Sequence, residues 1–442
     1  MEHRILPRYP IGNPRRIWRQ DNFILSTFSA RGRDMRSVIE NCADAGFNLL
    51  EMGWASHEQA EEALRLCEEI GIDLLYQDFS VFGGMQERNL DRTVTRETVR
   101  QVADHLRPYR HAVGVYVWDE PYVEDQCIEA RRQMDLFQRE NPALLPFTVA
   151  IPSYNMLYRW DNGQFEDYLR WYVKDIDPPV LSLDYYPIVP GWVYNDEDQL
   201  DACLMWCDLG LMRKLGREAG IPLWFYYQGV NLHNYPHFEF PMVECMMNAA
   251  VLYGVKGLQQ FTAVGNVIDE NGDKGPFFEE TKAVHAKFRK LGNTLMALEN
   301  RYVFHSGEIA EKCPLYAPFS DRIADSAVLA DVPLEPRGSV GEFADAYGNT
   351  YLYVLNRDID GPYNRGGVPE SEAEGAVTAV RTVTIPLREK FRIYQVRSDN
   401  GRQTDPWEDD AIRVPLAPGC ASLFRVQTFA EPAFTVEYRI EK

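Results

Sequence analysis

Between residues 23 and 298 the chain alternates, eight times, a short apolar run with a stretch whose apolar residues recur at helical spacing. The runs are 23–28 (FILSTF), 47–52 (FNLLEM), 72–77, 111–118, 146–151 (PFTVAI), 180–185 (VLSLDY), 221–227 and 256–262. Short runs of this kind read as strands buried on both faces. Strands that alternate with helices must be parallel and joined by right-handed crossovers. The helix signals are local. Met35, Val38, Ile39 and Cys42 form one stripe that stops at Gly46, and Ser56 with Gln59 makes a capping box ahead of Ala60, Ala63, Leu64 and Cys67, with Gly71 as stop. Further helices are predicted over 95–106, from Ile128 through Phe137, and over 165–173, 198–218, 242–253 and 279–298. Eight strand–helix units in about 280 residues predict a (β/α)8 TIM barrel. An open doubly wound sheet would carry a Gly-rich phosphate turn after its first strand, and here Gly83 and Gly84 follow the third, as an ordinary loop.

Near residue 301 the pattern changes. The segments 326–332, 341–345, 350–356, 377–386, 391–396 and 421–426 are short and alternating, with Gly, Pro and Asn between them and few helix signals. They predict an antiparallel β-sandwich, with 346–349 (AYGN) as its clearest hairpin turn. The predicted organisation is a catalytic barrel over 1–300 and a C-terminal β-sandwich over 301–442, which braces the barrel.

In such a barrel the chemistry belongs at the carboxyl ends of the strands. The fourth strand, 111–121 (HAVGVYVWDEP), ends in two adjacent carboxylates and a proline. Strict alternation puts Val113, Val115, Val117 and Asp119 on the helix-facing side and Gly114, Tyr116, Trp118 and Glu120 inside the barrel. The other strand ends supply Glu51 and Trp54, Gln77 and Asp78, Asp184 with Tyr185 and Tyr186, Tyr226, Tyr227 and Gln228, and Gln259, Gln260 and Thr262. Trp192 adds a rim aromatic. Aromatic faces beside acids and amides are what a sugar ring requires, the planes covering C–H groups and the polar groups taking hydroxyls.

Other chemistries fit less well. A net charge of −20, from 46 basic and 66 acidic residues, repels nucleic acid and anionic membranes. The eight histidines include none at the first two strand ends, where a metal-dependent hydrolase needs a pair, so no metal is expected. His233 and His237 fall together in the loop after the seventh strand and read as a solvated pair. Lys256 lies at the amino end of its strand, the wrong end for a Schiff base. The eight cysteines are scattered, and even Cys203 and Cys207, one helical turn apart, have no further ligands nearby; they read as buried thiols. With no apolar leader core in the opening residues and no long apolar span, the expectation is a soluble protein of a reducing cytoplasm.

Three motifs carry a resemblance: Trp118-Asp-Glu-Pro121, Asp184-Tyr-Tyr-Pro187, and the run from Tyr253 to Thr262 (YGVKGLQQFT). Together with 269–276 (DENGDKGP) and a helix reaching Gly292 and Asn293, the chain resembles bacterial barrel glycoside hydrolases related to clan A. That resemblance implies glycosidic bond hydrolysis of a carbohydrate substrate without a cofactor. It maps the strand-four acid/base onto Glu120. Clan A also carries a glutamate nucleophile after strand seven, where this chain has Phe225-Tyr-Tyr-Gln-Gly229. Two partners for Glu120 are open. Asp119 is placed as in families 20 and 123, whose adjacent Asp-Glu pair hydrolyses N-acetylhexosaminides through the substrate's own acetamido group. Asp184, two strands away at about 4.8 Å per strand, stands at a backbone distance suited to a nucleophile or base. The substrate contacts expected around these three are Glu51, Trp54, Asp78, Trp118, Tyr185, Tyr186, Tyr226, Gln228 and Gln260. The alternative is a carbohydrate-binding protein that keeps the pocket without the catalysis.

Overall fold

The computed structural model describes residues 1–81, 94–154, 165–188, 204–232, 238–306, 321–333, 336–359 and 379–441. Trp192, His233, His237, Cys203 and the Gly83–Gly84 pair fall outside them. The chain opens with β1 (Glu2–Arg8), then builds the barrel from β2 (Ile24–Thr27), β3 (Leu49–Glu51), β4 (Asp73–Tyr76), β5 (Ala112–Asp119), β6 (Leu145–Val149), β7 (Leu181–Tyr185), β8 (Leu223–Gln228) and β9 (Gly257–Phe261). Neighbours in the order β6-β5-β4-β3-β2-β9-β8-β7 are parallel. The ring closes where Ala150, just beyond β6, donates its N–H to Ser182 O of β7 at 2.8 Å.

Helices α1 (Met35–Asp44), α2 (His57–Ile70), α3 (Arg96–Leu106), α4 (Glu124–Glu140), α5 (Phe165–Trp171), α6 (Met205–Ala219), α7 (Phe240–Leu252) and α8 (Phe278–Ala297) follow the strands. The capping box at Ser56 and Gln59 is formed, and Gly71 ends α2 at φ 83°. After α5 the backbone widens into one π-helical turn, Tyr172–Ile176. Phe28, Leu49, Leu75, Tyr116, Leu145, Phe147, Trp224 and Tyr226 pack inside the ring, while Val115 and Val117 face the helices. Gly114 is required by closeness. A Cβ there would stand 2.4 Å from Leu145 O and 2.6 Å from Leu75 Cδ2.

The second part comprises β10 (Glu299–His305), β11 (Gly338–Ala344), β12 (Thr350–Asn356), β13 (Arg381–Val396), β14 (Trp407–Leu416) and β15 (Ala421–Gln427), antiparallel in the order β10-β11-β12-β15-β13-β14. The predicted runs 377–386 and 391–396 are one strand, β13, whose register against β14 shifts between Pro386 and Phe391. At that bulge the sheet doubles over, so Val383 and Ile385 cover Val340, Leu352 and Val354 and close a sandwich core. The turn 345–349 joins β11 to β12 as expected. Residues 326–332 form no strand beyond a single bridge at Leu329.

The sandwich is keyed to the barrel by α7, where Tyr353 donates to Asn248 Oδ1 at 2.6 Å and Asn248 donates to Gly419 O at 2.8 Å. The opening residues, which read only as a lead-in, pair as β1 in parallel with β16 (Phe434–Ile440), joining the two ends of the described chain.

Candidate active site

The carboxyl rim of the barrel is marked first by its backbone. Four non-glycine residues among those described have left-handed φ: Ser29 (56°), Trp54 (51°), Glu120 (47°) and Asp177 (54°). Three of them directly follow or lie just beyond β2, β3 and β5 on one rim. Each such residue costs about 1 to 3 kcal/mol and persists only where surrounding contacts impose it, as active sites do.

At the end of β5, strict alternation fails. The register against β6 shifts between Tyr116 and Trp118, so one extra residue enters the strand. Asp119 therefore returns to the side of Tyr116, which donates to its Oδ1 at 2.9 Å, while the Trp54 indole N–H donates to its Oδ2 at 3.2 Å. Trp118, expected inside, is displaced into the cluster that holds Val115 and Val117, where its indole N–H is buried and has no hydrogen-bond partner. Asp119, expected to face the helices, enters the site. Glu120 reaches it through its left-handed backbone rather than by parity.

Asp184, at the end of β7, completes a trio. Its carboxyl lies close to the Glu120 carboxyl and the Tyr186 hydroxyl, and its Oδ1 is buried without a donor. Burial pushes Asp119 up to about 6 against those two donors. Burial and the nearby Asp119 charge push Asp184 up to about 7. Neighbouring buried carboxyls resist ionising together, which is the direction in which Asp184 is moved. Among the described residues no histidine, cysteine and carboxylate cluster is arranged to hold a metal ion.

The aromatic wall is continuous. Trp54 is 37% exposed at the mouth and meets Phe28 edge-on at 5.3 Å; Phe28 stacks on Phe261 at 5.6 Å, and Phe261 on Tyr186 at 4.8 Å. Tyr185 is buried against Tyr154 at 5.0 Å. Phe28 and Tyr154 stand at or just beyond the first and fifth barrel strands, for which the sequence reading names no rim residue; their position at strand ends was the available signal.

Below the rim, Glu51 is fully buried and accepts from Ser26, Gln259 and Tyr226. Three other expected contacts are engaged by the protein itself. Asp78 holds His57 at 2.8 Å and caps Ser80, Gln228 pairs both ways with the backbone of Ile188 at 2.8 and 2.9 Å, and Gln260 accepts from Tyr227 at 3.0 Å. They shape the loops around the trio.

Fold and site together define a (β/α)8 barrel with a carboxylate-lined mouth and an appended β-sandwich. No family model matches the chain, and no curated protein matches it. Among solved structures it is similar to a glucosidase from Croceicoccus marinus, at 14% identity and a TM-score of 0.44 over 97% of this chain and 99% of that one. It is also similar to a family 27 β-L-arabinopyranosidase from Geobacillus stearothermophilus, at 9% identity and a TM-score of 0.48 over 96% and 98% of the two chains. The functional reading rests on the site's own chemistry. No described helix is long and apolar enough to cross a membrane, and Cys42, Cys67, Cys127 and Cys420 are free thiols.

Proposed function

We propose that this protein is a glycoside hydrolase in which Glu120 is the general acid. The observation that carries the reading is the buried cluster of Asp119 and Asp184 with Glu120 beside them, under the aromatic wall, in which burial and the Asp119 charge push Asp184 up to about 7. A shared proton in a buried acid pair is a carboxylic acid kept protonated near neutrality, which is what donation to a glycosidic oxygen requires. Trp54, Phe261 and Tyr186 offer faces to the sugar's C–H groups.

Asp119 and Asp184 divide the remaining work. Retaining pairs stand roughly 5 to 5.5 Å apart and inverting pairs 6.5 to 9.5 Å, whereas carboxyls that share a proton must be closer. Asp184 must therefore swing away before it can act across the bond from Glu120. Asp119 needs no such movement: Tyr116 and Trp54 hold both of its oxygens, and it can stabilise an oxocarbenium-like state directly or orient a substrate acetamido group. The contact thus favours Asp119 as the partner and Asp184 as the group that keeps Glu120 protonated. A second reading, a carbohydrate-binding protein without turnover, is favoured by one observation: β8 ends in Gln228, whose amide is consumed by Ile188, and brings no carboxylate.

The test is a panel of aryl glycosides with and without a 2-acetamido group, product anomer followed by NMR, and Glu120→Gln as control. Retention confined to 2-acetamido sugars supports Asp119, and inversion supports Asp184 as base. Sugar affinity with no hydrolysis in the unmodified protein, unchanged in Glu120→Gln, replaces the enzyme with the binding protein.

A further inference from the structure

Arg31 lies in the loop that follows β2, where it joins two of the left-handed rim residues. Its Nε donates to Ser29 Oγ at 3.1 Å and its Nη1 donates to Trp54 O at 2.7 Å. Neither partner is charged. Trp54 is held from its other side by Gln77, whose Oε1 accepts its backbone N–H at 3.0 Å, and its indole reaches Asp119 Oδ2 at 3.2 Å. One tryptophan therefore separates Arg31 from Asp119, at the end of the aromatic wall that opens at the mouth.

A cation partly withdrawn from water is normally paired with an anion. The arginines that follow in the same segment are: Arg33 meets Glu270 at 3.4 Å, and Arg36 meets Glu69 at 2.7 Å. Arg31 is half-buried and meets no carboxylate among the described residues; burial lowers it from its ordinary value, and no neighbouring charge opposes this. A shortage of acids is not the reason, because the chain carries 66 of them and a net charge of −20. An arginine has five N–H donors, of which one goes to Ser29 and one to Trp54; these hold the guanidinium in place, and the rest are left for a ligand. A fork immobilised before binding loses little freedom when an oxyanion docks on it. The trio gives the position its meaning. Asp119, Glu120 and Asp184 repel a negative group placed among them, whereas one placed on the far side of Trp54 is met by Arg31.

We propose that Arg31 receives a negatively charged group of the substrate, a carboxylate or a sulfate ester on a sugar packed against Trp54, so that the site selects acidic over neutral carbohydrate. The inference rests on the carbohydrate reading above and adds the charge of the substrate to it. No bond is made or broken at Arg31, which determines specificity. The competing role is a brace that only ties the Ser29 and Trp54 turns together.

The experiment is titration calorimetry at pH 7 and low ionic strength, with glucuronate and galacturonate, the 6-sulfates of glucose and galactose, and glucose and galactose themselves. The acidic sugars should bind about tenfold more tightly than their neutral parents, the effect of a charge-assisted fork over a neutral contact. Arg31→Gln should erase that ratio and leave affinity for the neutral sugars little changed. Arg31→Lys, which keeps the charge without the fork, should retain part of it. Added salt should narrow the ratio in the unmodified protein and have no such effect in Arg31→Gln. A preference confined to the uronates assigns a carboxylate, and one confined to the sulfates assigns a sulfate ester. Equal affinity for acidic and neutral sugars in the unmodified protein overturns the proposal, as does a ratio that survives Arg31→Gln. A brace gives a different pattern, with both classes weakened alike. If Arg31→Gln fails to fold, the ratio in the unmodified protein and its reduction in Arg31→Lys still decide. Binding of none of these sugars to the unmodified protein takes down the carbohydrate reading and this inference together, whereas binding without preference takes down this inference alone.

Discussion

Replacing Asp184 by asparagine should make the protein more stable above neutral pH and leave it nearly unchanged near pH 4. The reason lies in the burial of the trio. Asp184 moves from 3.8 in its ordinary setting to about 7 in the folded chain, through burial and the charge of Asp119. A carboxyl that binds its proton more tightly when folded gives stability that is complete below its unfolded value and is lost as the pH rises through its folded one. The window therefore runs from about pH 4 to about pH 7. Three units at 1.36 kcal/mol each set an upper bound of about 4 kcal/mol. Part of that belongs to Asp119, whose charge is one of the causes, so about 2 kcal/mol is assigned to Asp184 alone. For a chain of 442 residues that is about 2 °C in Tm. Asparagine keeps the shape, and its amide offers an acceptor to Tyr186 and a donor to Glu120 without bringing a charge. Calorimetry of both proteins at pH 4 and pH 8 reads the difference directly. An equal difference at the two pH values, or an asparagine variant less stable than wild type at pH 8, refutes the argument that the trio stores charge repulsion.

Other substitutions test neighbouring parts of the same structure. Trp54→Ala removes the exposed indole and one of the two donors to Asp119, and should weaken sugar binding about tenfold by titration calorimetry, at about 1 to 1.5 kcal/mol for a lost aromatic face; unchanged affinity takes Trp54 out of the sugar site. Gln228→Ala leaves the buried Ile188 N–H and C=O without the amide that satisfies them and should cost about 2 kcal/mol in denaturant unfolding, an effect absent if the loop after β7 is held elsewhere. Deleting residues 1–8 removes β1 and bares the edge of β16, so Tm should fall and light scattering should show association; a monomer of unaltered Tm would make the β1–β16 pairing dispensable.

The parts of this structure that were legible in the sequence are those set by local periodicity. The Val115 and Val117 pair, the Met35–Cys42 stripe and the Ser56 capping box each depend on residues within two turns or one strand, and each forms as its spacing predicts. What was not legible depends on a distant partner. β1 and β16 pair across more than 420 residues, and nothing in 1–8 names its mate. The site contains the sharpest case. Parity along 111–121 is sound as far as Tyr116, but the shift that follows is set by the pairing with β6, so Asp119 and Trp118 exchange sides relative to strict alternation. A one-residue shift decides whether the adjacent carboxyl is buried beside Asp184 or lost among the helices. Glu51 shows the same limit from another direction. Its place at a strand end was readable, whereas the Tyr226 hydroxyl that it accepts comes from β8, a non-neighbouring strand, and only closure of the barrel brings the two together. The candidate residues of this site were therefore visible as a set, while their division of labour is a property of the closed ring.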